Sequence, residues 1–429
     1  MAEHGKGPLA GIRVTDFSWV WAGPFCTLQL AHMGAEVIRI ETTKRICVTR
    51  LLPPWAEGRP DPNTSGYFNQ YNQGKRAITL DLHTPEGQAI AKRLVSISDV
   101  VVENFAPGVL QRLGLGYEEL RKVKPDIVMI SMSGYGQTGP LHHYVAYGPA
   151  QVPMAGFSTL TGYRHWEQPM HVGLSYGDPN AGHHAAFAIL VALWHRQRTG
   201  QGQYIDMSQW ESTIVLLGDA ILHQQMMGYQ PPRQGNRDPR MAPHGFFRCR
   251  PAEPGSLPEG LLLEDRWVSI ACASDEEWRA MCRVMERPEL AEDPRFATNA
   301  DRVQRCEEVR RLVSEWTSAR TKAEVVAAVA DRVPCGPVQD AEEIMRDPHV
   351  HARQMVVELE HPGCRQPKAI AGTPIKLTVT PASVRTRAPL LGEHTDEVLS
   401  LLGYDRSEIE RLHALGVVAS QRWLPEGRS

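Results

Sequence analysis

Through the first half of the chain, short runs of β-branched and aliphatic residues alternate with helical patterns, and this alternation limits the possible folds more than any other feature. Ile12–Phe17 reads as a strand. Gly23 and Pro24 open an amphipathic helix to about Met33, Gly34 ends it, and Glu36–Glu41 is a second strand, which completes one βαβ unit. A third strand is expected at Ala77–Leu82. Thr84 then caps a helix, with Pro85 at its first position and Gln88 placed to assist, running to about Ser98. Asp99–Glu103, Asp126–Met132 and Gln203–Met207 supply further strands. Strand and helix in this order predict an α/β domain whose mostly parallel sheet is covered by helices.

The texture changes after about residue 225, where Gln-Pro-Pro-Arg-Gln-Gly-Asn-Arg-Asp-Pro-Arg forms a polar, Pro-rich connection. The expected organisation is a large α/β segment over 1–224, a smaller α+β domain over 225–345, and a C-terminal segment over 346–429 that returns to the large domain. Inside the smaller domain, Trp267–Ala271 reads as a strand and 275–287, 306–318 and 321–331 as helices, with a surface loop at Pro251–Gly260. The C-terminal segment offers strands at Val356–Leu359 and Ile375–Val379 and helices at 394–402 and 406–415.

Charge and composition exclude several classes of function. With 46 Lys+Arg against 49 Asp+Glu, the formal charge of −3 provides no general field for a polyanion, and no long basic run compensates. No nucleic-acid partner is expected. The longest apolar stretch, Ala185–Trp194, is half of the roughly 20 residues a bilayer span needs, and Met1–Gly7 lacks the pattern of a secretory signal. No membrane partner and a cytoplasmic location are therefore expected. The eight cysteines are scattered without a Cys-x-x-Cys pair, which points to reduced thiols.

Gly134-Tyr135-Gly136-Gln137-Thr138-Gly139 matches G-x-G-x-x-G after a strand, but Pro140 and the residues that follow do not continue as an amphipathic helix. No acidic residue follows at the distance a ribose contact requires, so no dinucleotide site is expected. Adjacent histidines at 142–143 and 183–184 diverge from each other on regular structure, so neither pair is a natural two-ligand metal site. No G-x-S-x-G elbow occurs. Gly177-Asp178-Pro179 precedes an apolar helix running to about Arg196, and this is a good capping sequence. The expected capping geometry would also favour an ionised Asp178, a candidate nucleophile.

Several further motifs coincide in order and spacing. They are Leu9-Ala10-Gly11-Ile12-Arg13-Val14 leading to Ala22-Gly23-Pro24, Gly34-Ala35-Glu36-Val37-Ile38, and Gly74-Lys75-Arg76 before Leu80-Asp81-Leu82. Beyond them lie Val102-Glu103-Asn104-Phe105-Ala106-Pro107-Gly108, Ser133-Gly134-Tyr135-Gly136, Gly177-Asp178, and the Gly200–Gln203 turn. Ala242-Pro243-His244-Gly245, ahead of Asp265-Arg266-Trp267-Val268, completes the set. Over nearly its whole length the chain resembles the class III CoA-transferases, the family of formyl-CoA transferase and carnitine CoA-transferase.

That resemblance implies a Rossmann-like large domain built from both chain ends, a smaller domain between them, and two chains interlocked as a homodimer. It assigns the nucleophile to Asp178 and CoA contacts to Trp21, Ala22, Leu80, Asn104, Phe105 and Arg112. No bound cofactor or metal is implied; a coenzyme A thioester and a small organic acid are the substrates. Asp178 would attack the acyl-CoA carbonyl to give a mixed anhydride, and the CoA thiolate would return to give an aspartyl-CoA thioester. The acceptor acid then reverses the sequence. Such a site must orient the reactants, stabilise oxyanions and exclude water.

Thr42 stands where some members carry a basic residue, with Lys44 and Arg45 close by as substitutes. Tyr144–Pro149 lacks the charged groups of the formyl-CoA enzymes, so oxalate is not the expected acceptor. Trp19, Trp21, Trp55 and Trp166 are candidates to line a roomier pocket, or are core. Two alternatives remain at this point. An α-methylacyl-CoA racemase of the same family would pair the aspartate with a histidine, at a position occupied here by Tyr147, with His142 or His143 as substitutes only if the loop shifts. A non-catalytic CoA-binding protein would require Asp178 to be a buried cap.

Overall fold

A computed structural model describes residues 7–163, 165–251, 266–366 and 368–420. The loop expected at Pro251–Gly260 falls outside them from Ala252 onward, as does Asp265.

Six parallel strands form the main sheet: β1 Arg13–Asp16, β2 Glu36–Glu41, β3 Lys75–Thr79, β4 Val100–Glu103, β5 Val128–Ser133 and β6 Tyr204–Ser208. Their order is β3-β2-β1-β4-β5-β6. Val14 of β1 is in register with Val37 on one side and Val100 on the other. Because neighbouring residues of a strand face opposite ways, the sheet feeds two cores. Val14, Val37, Val100, Val128 and Ile130 pack against Ala22, Cys26 and Leu30 of helix Ala22–His32 and Ala181, Ala185 and Ile189 of helix Gly177–Thr199. On the other face Ile38, Ile78, Val101 and Met129 meet Ile90 and Leu94 of helix Pro85–Ser96, together with Val398, Leu399 and Leu412 from the chain's end.

The return of the C-terminal segment is fixed by hydrogen bonds as well as by packing. Asp81 N–H donates to Val417 C=O over 2.8 Å and His394 N–H to Ala77 C=O over 2.9 Å. The fold class read from the sequence, an α/β large domain built from both chain ends with a smaller α+β unit, is the fold observed. β3 begins two residues before the expected Ala77, since Lys75 and Arg76 pair with Val37 and Ile38. Lys75 is buried at 2% exposure and bonds Pro24 C=O and Asn72 Oδ1, which a hydropathy pattern does not register.

Two compact units divide the described chain. The first takes in the chain up to Phe157, His171–Gln230 and the chain from His351 onward; the second takes in Ser158–Met170 and Pro231–Val350. The second unit carries an antiparallel sheet ordered β7 (His244–Arg248), β8 (Trp267–Ala271), β9 (Cys335–Pro337). Its own core contains Phe247, Val268, Ile270, Trp278, Val309 and Val325.

The strand expected at Ile375–Val379 is not formed. Instead β10 (Val356–Leu359) pairs antiparallel with β11 (Lys368–Ala371), and residues 375–379 lie in irregular chain. Alternating apolar residues suggested the wrong segment: Leu377 and Val379 are 39% and 81% exposed, with no face to bury.

Candidate active site

In an open parallel sheet, ligands bind beyond the carboxyl ends of the strands, where the strand order reverses. Here β1 and β4 are neighbours at that reversal. A cavity of about 470 Å³ opens there, lined from the ends of all six strands: Phe17 and Trp19 after β1, Thr42 and Lys44 after β2, Leu80 and His83 after β3, Asn104 and Phe105 after β4, Ser133 and Gly134 at β5, and Gln209 after β6.

The loop after β1 is shaped by a buried carboxylate. Asp16 Oδ1 accepts from the Ser18 N–H (2.9 Å) and hydroxyl (2.5 Å), while Oδ2 accepts from the Thr27 hydroxyl (2.6 Å). The turn forces Val20 to φ 63°, a left-handed conformation that a β-branched residue adopts at a cost of order 1–3 kcal/mol. Asn104 holds the loop from the β4 side. Its Oδ1 accepts from Trp19 N–H over 2.7 Å and its Nδ2 donates to Trp19 C=O over 2.8 Å. Trp19 and Phe105 then meet edge to face with ring centroids 6.0 Å apart.

Asp178 reaches the cavity from the first turn of helix Gly177–Thr199. Gly182 lets this helix lie against the first turn of helix Ala22–His32: an added Cβ would sit 2.9 Å from Ala22 O. Asp178 is not the helix cap the sequence led us to expect. The helix begins at Gly177, the cap position is Tyr176, and no side chain caps it. Nor does the site favour the anion as expected: burial pushes the Asp178 carboxyl up to about 6, its own backbone amide offsetting only part of that. Gly148 closes over the carboxylate so tightly that a Cβ there would lie 2.3 Å from Asp178 Oδ2.

The polar groups divide along the sheet. Lys44, Arg45 and His83 stand at the ends of β2 and β3, where Lys44 Nζ pairs with Asp81 and the Arg45 guanidinium lies 5.8 Å from the centre of the Trp19 ring. The opposite half, at β5 and β6, carries neutral groups: Ser133, Gln151 and Gln209.

Of the residues proposed from sequence, Asp178, Leu80, Asn104 and Phe105 converge on this cavity, joined by Lys44, Arg45 and Trp19. Trp21 and Ala22 are buried and do not line it; the Trp21 ring packs on Tyr67 and Tyr71. Arg112 is exposed, its guanidinium against Gly108, also outside the lining. Trp55 lines a separate cavity with Tyr67 and Tyr71, and Trp166 belongs to the second unit and is 46% exposed. The four tryptophans therefore do not share one pocket. Tyr147 lines the cavity whereas His142 and His143 do not. Gln151 and Gln209 went unnoticed in the sequence, because a single glutamine in a helical stretch carries no signal until the fold brings it to the cavity that Asp178 enters. Among the described residues no group of three or more His, Cys, Asp or Glu side chains could hold a metal ion, and no helix is long and apolar enough to cross a membrane.

Comparison with known proteins gives the same outline. The family model described as CoA-transferase family III matches residues 9–395. The chain is 36% identical over 403 residues to a succinyl-CoA:mesaconate CoA-transferase of Haloarcula marismortui, covering 93% of this chain and 97% of that protein. It is 36% identical over 424 residues to a succinyl-CoA–D-citramalate CoA-transferase of Chloroflexus aurantiacus, covering 96% and 98%. A crystal structure of a CAIB/BAIF family protein from Brucella suis superposes with a TM-score of 0.82 at 31% identity, covering 92% of this chain and all of that one.

Proposed function

Since the chain belongs to CoA-transferase family III, we propose that it moves CoA from an acyl-CoA to a carboxylic acid through covalent intermediates on Asp178. One observation carries this reading: a half-buried carboxylate stands at the carboxyl end of a parallel sheet, in a cavity whose far side carries Lys44 and Arg45.

The steps balance without an added reagent. An oxygen of ionised Asp178 attacks the thioester carbonyl, the C–S bond breaks, and CoA leaves as the thiolate from a mixed anhydride. The thiolate attacks the Asp178 carbonyl of that anhydride, which releases the donor acid as its carboxylate and leaves an aspartyl-CoA thioester. The acceptor carboxylate then attacks this thioester, and the returning thiolate takes up the new acyl group and frees Asp178. Burial, which raises the carboxyl's pKa to about 6, also strips solvation from the anion and so makes it the stronger nucleophile.

Leu80, Asn104 and Phe105 are proposed to hold CoA where they line the cavity, with Lys44 and Arg45 meeting its phosphates by charge-assisted contacts. The assignments of Trp21, Ala22 and Arg112 gain no support from the cavity lining; Trp21 fits better as a support for the Tyr67–Tyr71 wall. The division into 1–224, 225–345 and 346–429, the cytoplasmic location and the interlocked homodimer belong to the same proposal. Support for the dimer comes from Phe187, Leu190, Val191 and Trp194, an apolar stripe at helical spacing on helix Gly177–Thr199 that is 41–69% exposed. For the racemase alternative, Tyr147 supplies no imidazole to pair with Asp178.

The test is kinetic. The reading expects ping-pong behaviour and exchange of labelled acid into acyl-CoA, both lost in Asp178→Ala, which still binds CoA. Exchange that persists in Asp178→Ala would refute it.

A further inference from the structure

Gln151 is 1% exposed, Gln209 6% and Ser133 3%, and all three line the cavity that Asp178 enters. Their amides form a directed chain. Met132 C=O can only accept, so Gln209 presents Nε2 to it over 3.3 Å; Gln209 Oε1 then faces Gln151 Nε2, also at 3.3 Å. This fixes which end of the Gln151 amide is left over. Its Oε1, an obligate acceptor, and the Ser133 hydroxyl are buried without a hydrogen-bond partner among the described residues. The Gln151 amide spans the ground beside the nucleophile: Cβ atoms built on Gly177 and Gly134 would each lie 3.6 Å from it, at Oε1 and Nε2 respectively.

A buried acceptor without a partner is destabilising, and a ligand that supplies the missing donor relieves it. Sheet order indicates which part of the substrate arrives here. The cations at β2 and β3 draw the nucleotide phosphates to one side, and β5 lies three strands from β2, roughly 14 Å at the usual strand spacing. With phosphates at the β2–β3 side and the thioester at Asp178, the acyl chain falls on the β5–β6 half, over Ser133 and Gln151. A carboxylate brings no donor to Gln151 Oε1, and a methylene brings none. A hydroxyl both donates to Gln151 and accepts from Ser133.

Building on the CoA-transfer reading above, we propose that the acid this enzyme activates is a hydroxy acid, its hydroxyl held between Gln151 Oε1 and the Ser133 hydroxyl, and that Gln151 sets the specificity. Sites that hydrogen-bond a substrate hydroxyl reject the analogue lacking it far more strongly than apolar pockets reject a methylene.

The experiment compares matched acceptors with succinyl-CoA as donor: citramalate against 2-methylsuccinate, and 3-hydroxyglutarate against glutarate. The wild-type enzyme is expected to favour at least one hydroxy acid by 10-fold or more in kcat/KM. Gln151→Leu and the near-isosteric Gln151→Met should narrow that ratio to within about 3-fold, mainly through KM. The wild-type ratio is decisive even if a variant folds poorly. Ratios near unity for both pairs in the wild-type enzyme, or a preference untouched in both folded variants, would overturn this inference while leaving CoA transfer intact. No transfer to any acid, with no adduct at Asp178, would overturn both readings.

Discussion

Gly148 and Asp178 are in contact that leaves no room for a side chain, since a Cβ on Gly148 would lie 2.3 Å from Asp178 Oδ2. Gly148 opens the short helix Gly148–Met154, so its backbone cannot simply withdraw. Gly148→Ala must push the carboxylate aside, and a misplacement of about 1 Å at a reacting centre costs on the order of 100-fold. Stopped-flow measurement of the first turnover should show such a loss, with CoA affinity changed by less than about 3-fold.

The raised pKa of Asp178 gives two pH signatures of opposite sense. The first-turnover rate should climb as pH passes through about 6, because only the anion attacks. Stability should move the other way. With the folded value above the ordinary carboxylate value, protonated Asp178 contributes its stability in full below about pH 4, and this is lost as pH rises through about 6. Asp178→Asn should therefore be inactive yet more stable than the parent at pH 8, by ~1–2 kcal/mol after allowance for solvent screening. Urea unfolding at pH 4.5 and pH 8 measures the stability difference, and first-turnover kinetics over the same range measures the rate.

Asn104 ties the β4 turn to the loop after β1 by two hydrogen bonds to the Trp19 backbone. Asn104→Ala leaves the Trp19 amide and carbonyl half-buried without those partners, at ~1–3 kcal/mol. KM for acyl-CoA should rise about 10-fold while kcat falls less. An unchanged KM would show that the loop is held by the Asp16 contacts alone.

Arg45 lies over the Trp19 ring at the β2 side of the cavity. Arg45→Ala should raise KM for acyl-CoA roughly 10-fold, more at low salt than at high, because the contact with phosphate is electrostatic. The same acyl group on pantetheine, which lacks the nucleotide, should show no such penalty.

The positions of β1, β2, β4 and β5 were legible in the sequence because strands buried on both faces read as short continuous runs of β-branched and aliphatic residues, whereas their order in the sheet depends on which strands pair and leaves no such trace. Asp178 was legible as a residue but not as an environment. Its Gly-Asp-Pro setting suggested a cap and a stabilised anion, whereas the pocket closed by Gly148, 30 positions away in sequence, desolvates it instead. Trp21 was the expected CoA contact and Trp19 only a candidate for the pocket wall; the tight turn at Val20 sends Trp21 to the core and Trp19 to the cavity. Gln151 and Gln209, 58 positions apart, become partners only through the β5–β6 pairing and the helices that follow. Lys75 on β3 was missed because its partner, Asp16, belongs to a strand 59 positions earlier.

The central claim is that Asp178 carries the group being transferred. Intact-protein mass spectrometry, after mixing with succinyl-CoA, acetyl-CoA and related thioesters and trapping with hydroxylamine or borohydride, tests it most directly. The account predicts a modification that peptide mapping places on Asp178 and that Asp178→Ala lacks. An equal adduct in Asp178→Ala, or exchange of the substrate's α-hydrogen with deuterated water without any adduct, would contradict it.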